Sequence, residues 1–329
     1  MDGHREGRKR NRVGGLEGVK RMVTIKELPK EEYLLKGHAA CAGCGPSIAL
    51  RLLFKALGNS VILAVPACCT TVIQGQYPYT SAAVPLQNIL FESTAAAASG
   101  IVAALHQRKL EGITVVGWAG DGGTVDIGIQ ALSGAAERET DFIYICYDNE
   151  AYGNTGMQRS GATPYGAWTT TTPSGKRERK KDMPLIMAAH RIPYVATACP
   201  SYPIDFVNKL RKAKDIKGTK YIHILAPCPT GWRYDASKTV ELGRLAAQTG
   251  LWALYEIEYG KFQLNSPSDR LVDKAKRKPV KEYLQLQGRF RNVTDDDVNR
   301  IQQWVDEDWE RYRKMASNSA SDSALYGKI

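Results

Sequence analysis

Residues 115–158 read VVGWAGDGGTVDIGIQALSGAAERETDFIYICYDNEAYGNTGMQ, and this stretch decides the fold. An apolar run at 113–118 has the length and character of a buried strand. Glycines then surround a single acid in Gly120-Asp121-Gly122-Gly123. Ile127, Ala131, Leu132 and Ala135 follow at helical spacing. A second apolar run, 142–147, ends in Asp148-Asn149-Glu150. The pattern is strand, glycine turn, helix, strand, with polar residues at both strand ends. Ligands of open parallel sheets bind at that edge.

Outward from this unit the same alternation continues. Cys41-Ala42-Gly43-Cys44-Gly45-Pro46 forms a tight loop, and Pro46 suits the first turn of a helix running to about Leu57. Residues 61–65 read as a strand ending at Pro66-Ala67-Cys68-Cys69, and 92–107 as an alanine-rich helix. Two more strands are expected at 193–197 and 220–226, with a helix at about 204–213 between them. Strands alternating with helices imply an α/β fold, a mostly parallel sheet with helices on both faces. Residues 1–21 are glycine- and arginine-rich without apolar period and are expected to be a disordered extension. The expected divisions are that extension, a ligand-binding domain at 22–251, and a C-terminal appendage at 252–329. The last helix, 295–315, carries Val298, Ile301, Trp304 and Val305 on one side.

Composition bounds the function classes. Hydrophobic residues make up 43% of 329, which suits a globular chain with a large core. No run approaches the roughly 20 apolar residues of a membrane span, and nothing resembles an apolar secretory signal; a cytoplasmic protein is expected. The net charge of +11 invites a nucleic-acid reading. Its basic residues cluster at the chain ends and in 176–181, without interleaved aromatics for stacking bases. A basic face suited to an acidic protein partner is the better reading.

Seven cysteines carry the second line of reasoning: Cys41, Cys44, Cys68, Cys69, Cys146, Cys199 and Cys228. Two form a C-x-x-C loop, Cys68 or Cys69 ends one strand, and Cys228 ends another. Four thiolates so placed can converge on one centre. Cys146 sits inside a strand and reads as a small core residue, while Cys199 has no obvious partner. Spacing alone permits zinc, a disulfide or an iron–sulfur cluster.

Asp121 is followed 28 residues later by Asn149, with a helix and a strand between. That interval puts a carboxylate and a carboxamide on neighbouring strand ends, where with phosphate oxygens and water they suit a six-oxygen magnesium site. The arrangement resembles the thiamine diphosphate motif, GDG followed by Asn.

Taken together, the motifs resemble the beta subunit of a 2-oxoacid:ferredoxin oxidoreductase of the pyruvate synthase type. GHAACAGCG at 37–45, GDGGTVDIGIQALSG at 120–134, YDNEAYGNTGMQRS at 147–160, TPYGAWTTT at 163–171, CPTGW at 228–232 and YLQLQGRF at 283–290 carry the resemblance. It implies a thiamine-diphosphate-binding fold, the diphosphate-binding half. It implies that Cys41, Cys44, Cys69 and Cys228 ligate one [4Fe–4S] cluster. Asp121, Asn149 and the Ala151 carbonyl would bind Mg²⁺. Gly120 and Gly122 would flank the diphosphate, with Thr155 nearby. Asn154 would face the reacting carbon as the catalytic side chain, and Val72 would prop the bent cofactor. Two departures stand out: Trp118-Ala119 precede GDG where a second glycine is common, and Pro66-Ala67-Cys68 replaces the usual lead into the third cysteine.

The activity so implied is oxidative decarboxylation of a 2-oxoacid with coenzyme A, electrons leaving through the cluster to ferredoxin. The implied partners are an alpha subunit supplying the carboxylate that activates the aminopyrimidine, and gamma and ferredoxin-like delta subunits or fusions of them. No nucleic acid or membrane is expected as a partner. Pyruvate is the favoured substrate, ahead of oxalate and, last, a branched-chain 2-oxoacid. The branched acid ranks last because Cys68, Thr70 and Thr71 are expected to make the substrate corner polar. A thiamine carboligase or decarboxylase without iron leaves the four placed cysteines unexplained. A zinc-stabilised nucleic-acid-binding protein leaves Asp121 and Asn149 unexplained. His38 reads equally as a donor to the site and as a structural hydrogen-bonder, His106, His190 and His223 as packing residues, and Tyr152 and Trp232 as candidates for the pocket wall.

Overall fold

The computed structural model describes residues 24–321; the extension expected at 1–21 lies outside them. Within them the chain folds around one eight-stranded sheet, ordered β2-β1-β3-β4-β6-β5-β7-β8. Six strands are mutually parallel: β1 (Val61–Pro66), β2 (Leu86–Ile89), β3 (Thr114–Gly120), β4 (Phe142–Asp148), β5 (Tyr194–Ala198) and β6 (Thr219–Leu225). The short β7 (Tyr255–Glu258) and β8 (Lys261–Leu264) add an antiparallel hairpin at the β5 edge. A chain division at 251/252 therefore cuts through the sheet, and the region expected to be an appendage contributes two of its strands. These four-residue strands are too short for a clear period in the sequence.

Helices cover both faces, as the alternation predicts. On one side lie α1 (Gly45–Leu57) and α6 (Pro203–Asp215), which pack on each other. On the other lie α3 (Thr94–Gln107), α4 (Ile129–Glu137), α5 (Met183–Ala189) and α8 (Thr239–Gln248). The remaining helices are the short α2 (Cys69–Gln74), α7 (Pro229–Trp232) and α9 (Val280–Gln285), and the long α10 (Asp295–Ser321). Successive strand residues alternate between two cores. Val116, Trp118, Ile143, Ile145 and Tyr147 face the α1/α6 layer. Val115, Ala119, Tyr144 and Cys146 face the other layer, where Ile301, Val305 and Trp309 of α10 close the core. Cys146 and Cys199 are fully buried core residues there.

The chain steps from β1 outward to β2, then returns past β1 to β3. That reversal opens a crevice at the C-terminal edge of the sheet between β1 and β3, where such sheets bind ligands. No helix of the described residues is long and apolar enough to cross a membrane.

Candidate functional site

Each chemically interesting residue sits just past a parallel strand: Cys69 after β1, Asp121 after β3, Asn149 after β4 and Cys228 after β6. A cleft at this edge is lined by Cys68, Cys69, Gly120, Asp121, Gly122, Asn149, Ala151, Asn154 and Thr155. Phe91, Tyr147 and Tyr152 complete its walls. The glycine turn leads into a π-helical turn, Gly122–Asp126, before α4 begins. Such turns recur at functional sites because they leave backbone groups unpaired inside the helix ladder. A Cβ on Gly122 would meet the Tyr152 ring at 2.4 Å, so the cleft wall requires glycine there. Tyr152 is held in turn by donating its hydroxyl to Asp126 at 2.9 Å.

At the floor of the cleft three groups converge. The end of the Asn149 carboxamide lies 2.8 Å from the Ala151 carbonyl oxygen and 3.0 Å from Asp121 Oδ1. Turned nitrogen-inward, this amide donates to both. Turned oxygen-inward, it completes a trio of oxygens with no proton between them, and its nitrogen then points toward Cys69 Sγ at 4.0 Å. Asp121 is fully buried and accepts a hydrogen bond from Ser160 Oγ at 2.5 Å. Burial, and then the nearby Asp148 carboxylate, raise its carboxyl well above the ordinary range.

The four cysteines singled out for a common centre approach one another from separate elements. Gly45 has its N–H on the Pro227 carbonyl at 3.0 Å, and a Cβ there would meet that oxygen at 2.6 Å. This close backbone approach presses the Cys41–Cys44 loop against the strand end that carries Cys228. Burial first, then Cys68, Cys228 and Cys44, push the Cys69 thiol up to about 12. Burial likewise pushes Cys228 up to about 11, with Cys44 and Cys41 adding to it. Cys68 is buried and packs in the core cluster with Tyr147 and Trp118, and also forms part of the cleft wall. Among the described residues, no group of three or more His, Cys, Asp and Glu side chains is gathered to hold a metal ion.

Other residues fall differently. Val72 stands on α2, 52% exposed and outside the cleft lining. Thr70 is buried and accepts from the Trp118 indole at 2.9 Å, while Thr71 donates to the Pro66 carbonyl at 3.0 Å. Neither threonine lines the cleft, so of the corner expected to be polar only Cys68 stands on its wall, beside Cys69 and the rings of Phe91 and Tyr152. His38 is exposed and accepts from the Ala40 N–H at 3.3 Å. Trp232 lies beneath the site rather than on its wall, donating its indole N–H to the Asn149 carbonyl at 2.7 Å.

Sequence reasoning missed a buried ionic layer under the site. The basic run 176–181 is expected to be part of a face for an acidic protein partner, yet Lys180 Nζ lies 2.9 Å from both Asp148 and Glu150 of this chain. His223, expected to be a packing residue, bridges Asp148 at 2.9 Å and Tyr221 at 2.6 Å. Arg289 closes on Glu150 at 2.5 Å. Burial works against the Asp148 charge, but Lys180 and His223 hold its carboxyl below the usual range. Only the spacing of charge relative to strand ends hinted at this layer. His106 is exposed on α3, not packed.

Residues 69–224 match the family described as "Thiamine pyrophosphate enzyme, C-terminal TPP binding domain". The chain is 51% identical over 310 residues to the ketoisovalerate oxidoreductase subunit VorB of Pyrococcus furiosus, spanning 91% of this chain and 97% of that one. It is 53% identical over 285 residues to the pyruvate synthase subunit PorB of Methanothermobacter marburgensis, spanning 85% and 97%. A solved 2-oxoglutarate:ferredoxin oxidoreductase from Magnetococcus marinus shares the fold at a TM-score of 0.53 and 22% identity, over 69% of this chain and 84% of that one. With identity at this level along almost the whole of its relatives, the chain belongs to the beta subunits of the 2-oxoacid:ferredoxin oxidoreductases, and it carries their thiamine diphosphate-binding domain.

Proposed function

We propose that this chain holds thiamine diphosphate with Mg²⁺ in the β1/β3 cleft, beside a [4Fe–4S] cluster on Cys41, Cys44, Cys69 and Cys228. The observation that carries the reading is the trio of oxygens from Asp121, Asn149 and Ala151, spaced 2.8 and 3.0 Å about the carboxamide. Octahedral Mg²⁺ with ligands at about 2.1 Å puts neighbouring oxygens about 3.0 Å apart. Oxygen-inward, the trio fits the hard cation; one carboxylate, one carboxamide and one carbonyl leave room for phosphate oxygens. The thiols fit a cluster in a different way. A [4Fe–4S] cube takes one thiolate at each iron, so its ligands stand apart around the cube rather than around one ion. Cys69 lies near Cys228, Cys44 and Asn149, whereas Cys68 is packed in the core cluster with Tyr147 and Trp118, which supports Cys69 as the third ligand.

When bound, the thiazolium would supply the electron sink for decarboxylation, and the cluster a one-electron exit. This chain's residues orient and enclose. Gly120 and Gly122 allow the backbone to approach the diphosphate, and buried Asp121 supplies the anion for its metal. Asn154 and Thr155 stand on the exposed rim of the cleft, where Asn154 can donate to a substrate carboxylate or a developing oxyanion. Val72, three residues after Cys69, and Leu90, next to Phe91, are exposed apolar side chains at 52% and 71%. They support closure of the cleft by an alpha subunit carrying the activating carboxylate. Gamma and ferredoxin-like delta subunits, ferredoxin and coenzyme A complete the cytoplasmic assembly so proposed.

Pyruvate remains the first substrate reading, and 2-oxoisovalerate moves up beside it. Relatives named for pyruvate and for ketoisovalerate are similar to this chain at 53% and 51% identity, and the two threonines of the expected polar corner do not line the cleft. The test is reduction of ferredoxin by the complete complex, purified without oxygen, with pyruvate, 2-oxoisovalerate or oxalate, each with and without coenzyme A. Coenzyme A-dependent turnover of pyruvate supports the first reading. Preference for 2-oxoisovalerate selects the second, and oxalate turnover without coenzyme A overturns both.

A further inference from the structure

Residues 283–290 share the family pattern yet lie far along the chain from every proposed ligand. Arg289 in this segment is 2% exposed and reaches the ionic layer beneath the cleft. It pairs with Glu150 Oε2 at 2.5 Å and donates from Nε to Gln287 at 2.9 Å. Its guanidinium stacks 3.9 Å from the centre of the Trp232 ring. Trp232 in turn donates to the Asn149 carbonyl at 2.7 Å. Arg289 therefore touches both supports of the segment 149–151.

That segment is strained. Glu150 has φ +64°, a left-handed conformation that disfavours residues with a side chain. All of its polar groups are engaged. The N–H donates to Asp148 Oδ1 at 2.9 Å, and the carbonyl accepts from Thr163 at 2.7 Å. One carboxylate oxygen takes Lys180 at 2.9 Å and the other takes Arg289. Glu150 lies between Asn149 and Ala151, which supply two of the three converging oxygens. Its backbone conformation sets where both of them point.

We propose that Arg289 is a positioning residue for the metal turn: through Glu150 and Trp232 it fixes the left-handed turn that presents the Asn149 and Ala151 oxygens to Mg²⁺. This rests on the Mg²⁺ reading above. A buried ion pair that only completes the fold predicts something different, because replacing both partners by neutral groups of similar size is often neutral for stability. A supporting group behind metal ligands instead changes metal affinity about 10–100-fold.

The experiment titrates Mg²⁺ calorimetrically into the complete complex, stripped of divalent cations and saturated with thiamine diphosphate. Arg289→Met alone leaves one oxygen of the buried Glu150 carboxylate without its cation, with Lys180 holding only the other, so the variants used are the double variant Glu150→Gln/Arg289→Met and the single Arg289→Lys. The lysine keeps the charge and loses the planar stack and fork. The expected result is a loss of Mg²⁺ affinity of about 10–100-fold in the double variant and a smaller loss in Arg289→Lys, with parental melting temperatures in both. Parental Mg²⁺ affinity in the double variant, or losses that only track a falling melting temperature, would overturn the inference. A parent complex that takes up no Mg²⁺ overturns the Mg²⁺ reading and this inference with it.

Discussion

Asp121→Asn separates function from stability in a way that the site geometry makes quantitative. Asp121 is fully buried, faces Asp148, and among the described residues has no ion-pair partner in contact. Its hydrogen bonds come from Ser160 and, with the amide nitrogen-inward, from Asn149. They offset part of the desolvation of a buried carboxylate. An asparagine of the same shape keeps its oxygen on Ser160 and turns a nitrogen toward the Asn149 carboxamide oxygen. Relief of one poorly compensated buried group is worth about 1–3 kcal/mol. At about 2 °C per kcal/mol for a chain of this size, the purified variant without cofactor should melt about 2–6 °C higher than the parent. With Mg²⁺ and thiamine diphosphate at about 100 times the dissociation constant, the parent should gain about 2.7 kcal/mol by mass action. The variant should gain almost none of it, having lost the anionic ligand. Differential scanning calorimetry with and without the two ligands measures both quantities. A variant that melts lower without ligand, or that keeps the full ligand-induced shift, removes Asp121 from the metal site.

Three further outcomes are expected. Cys69→Ala should lose the iron and brown colour of anaerobically purified protein, whereas Cys68→Ala and Cys146→Ala should retain most of it; iron analysis showing the reverse for residues 68 and 69 moves the ligand by one position. Gly122→Ala should weaken thiamine diphosphate binding at least tenfold, about 1.4 kcal/mol, because a Cβ would stand 2.4 Å from the Tyr152 ring; unchanged affinity by calorimetry would mean that the ring is free to move. Tyr147→Phe removes a buried hydroxyl that has no hydrogen-bond partner among the described residues, so the cofactor-free chain should gain about 1 kcal/mol in denaturant titration, and a loss of that size would reveal a partner for the hydroxyl.

The parts of the fold that were legible in the sequence are those with long, unbroken patterns. The runs 113–118 and 142–147 are continuous apolar stretches because β3 and β4 are covered on both faces, and both became central strands. The glycine turn and the Asp121–Asn149 interval were legible because backbone approach and, on the proposed reading, metal ligation both tolerate few residue types. By contrast, β7 and β8 are four residues each and alternate too briefly to register. The ionic layer was hidden for another reason. Lys180 and Arg289 look like surface charges in a one-dimensional reading, and their partners Asp148 and Glu150 lie 32 and 139 residues away from them in sequence. Charge runs announce solvent only when no buried carboxylate waits at the end of a strand.

Placement of Thr70 and Thr71 shows how the substrate order came to rest on the wrong groups. Both follow the third cysteine, and a hydroxyl next to a ligand suggests a polar pocket. Once α2 starts at Cys69, however, Thr70 turns back to the Trp118 indole and Thr71 to the Pro66 carbonyl. On the proposed reading, what this chain offers a substrate is then Cys68, Cys69, the rings of Phe91 and Tyr152, and the amide of Asn154. An aromatic and thiol wall accepts a methyl or an isopropyl group with little penalty, and one methylene in an apolar pocket changes selectivity only about 10–200-fold. On the proposed reading, discrimination between pyruvate and 2-oxoisovalerate therefore falls to side chains that close the cleft from the partner subunit. Relatives of this chain named for each of the two substrates are nearly equally similar to it, as expected of a subunit that holds the cofactor and leaves the choice of acid to its neighbour.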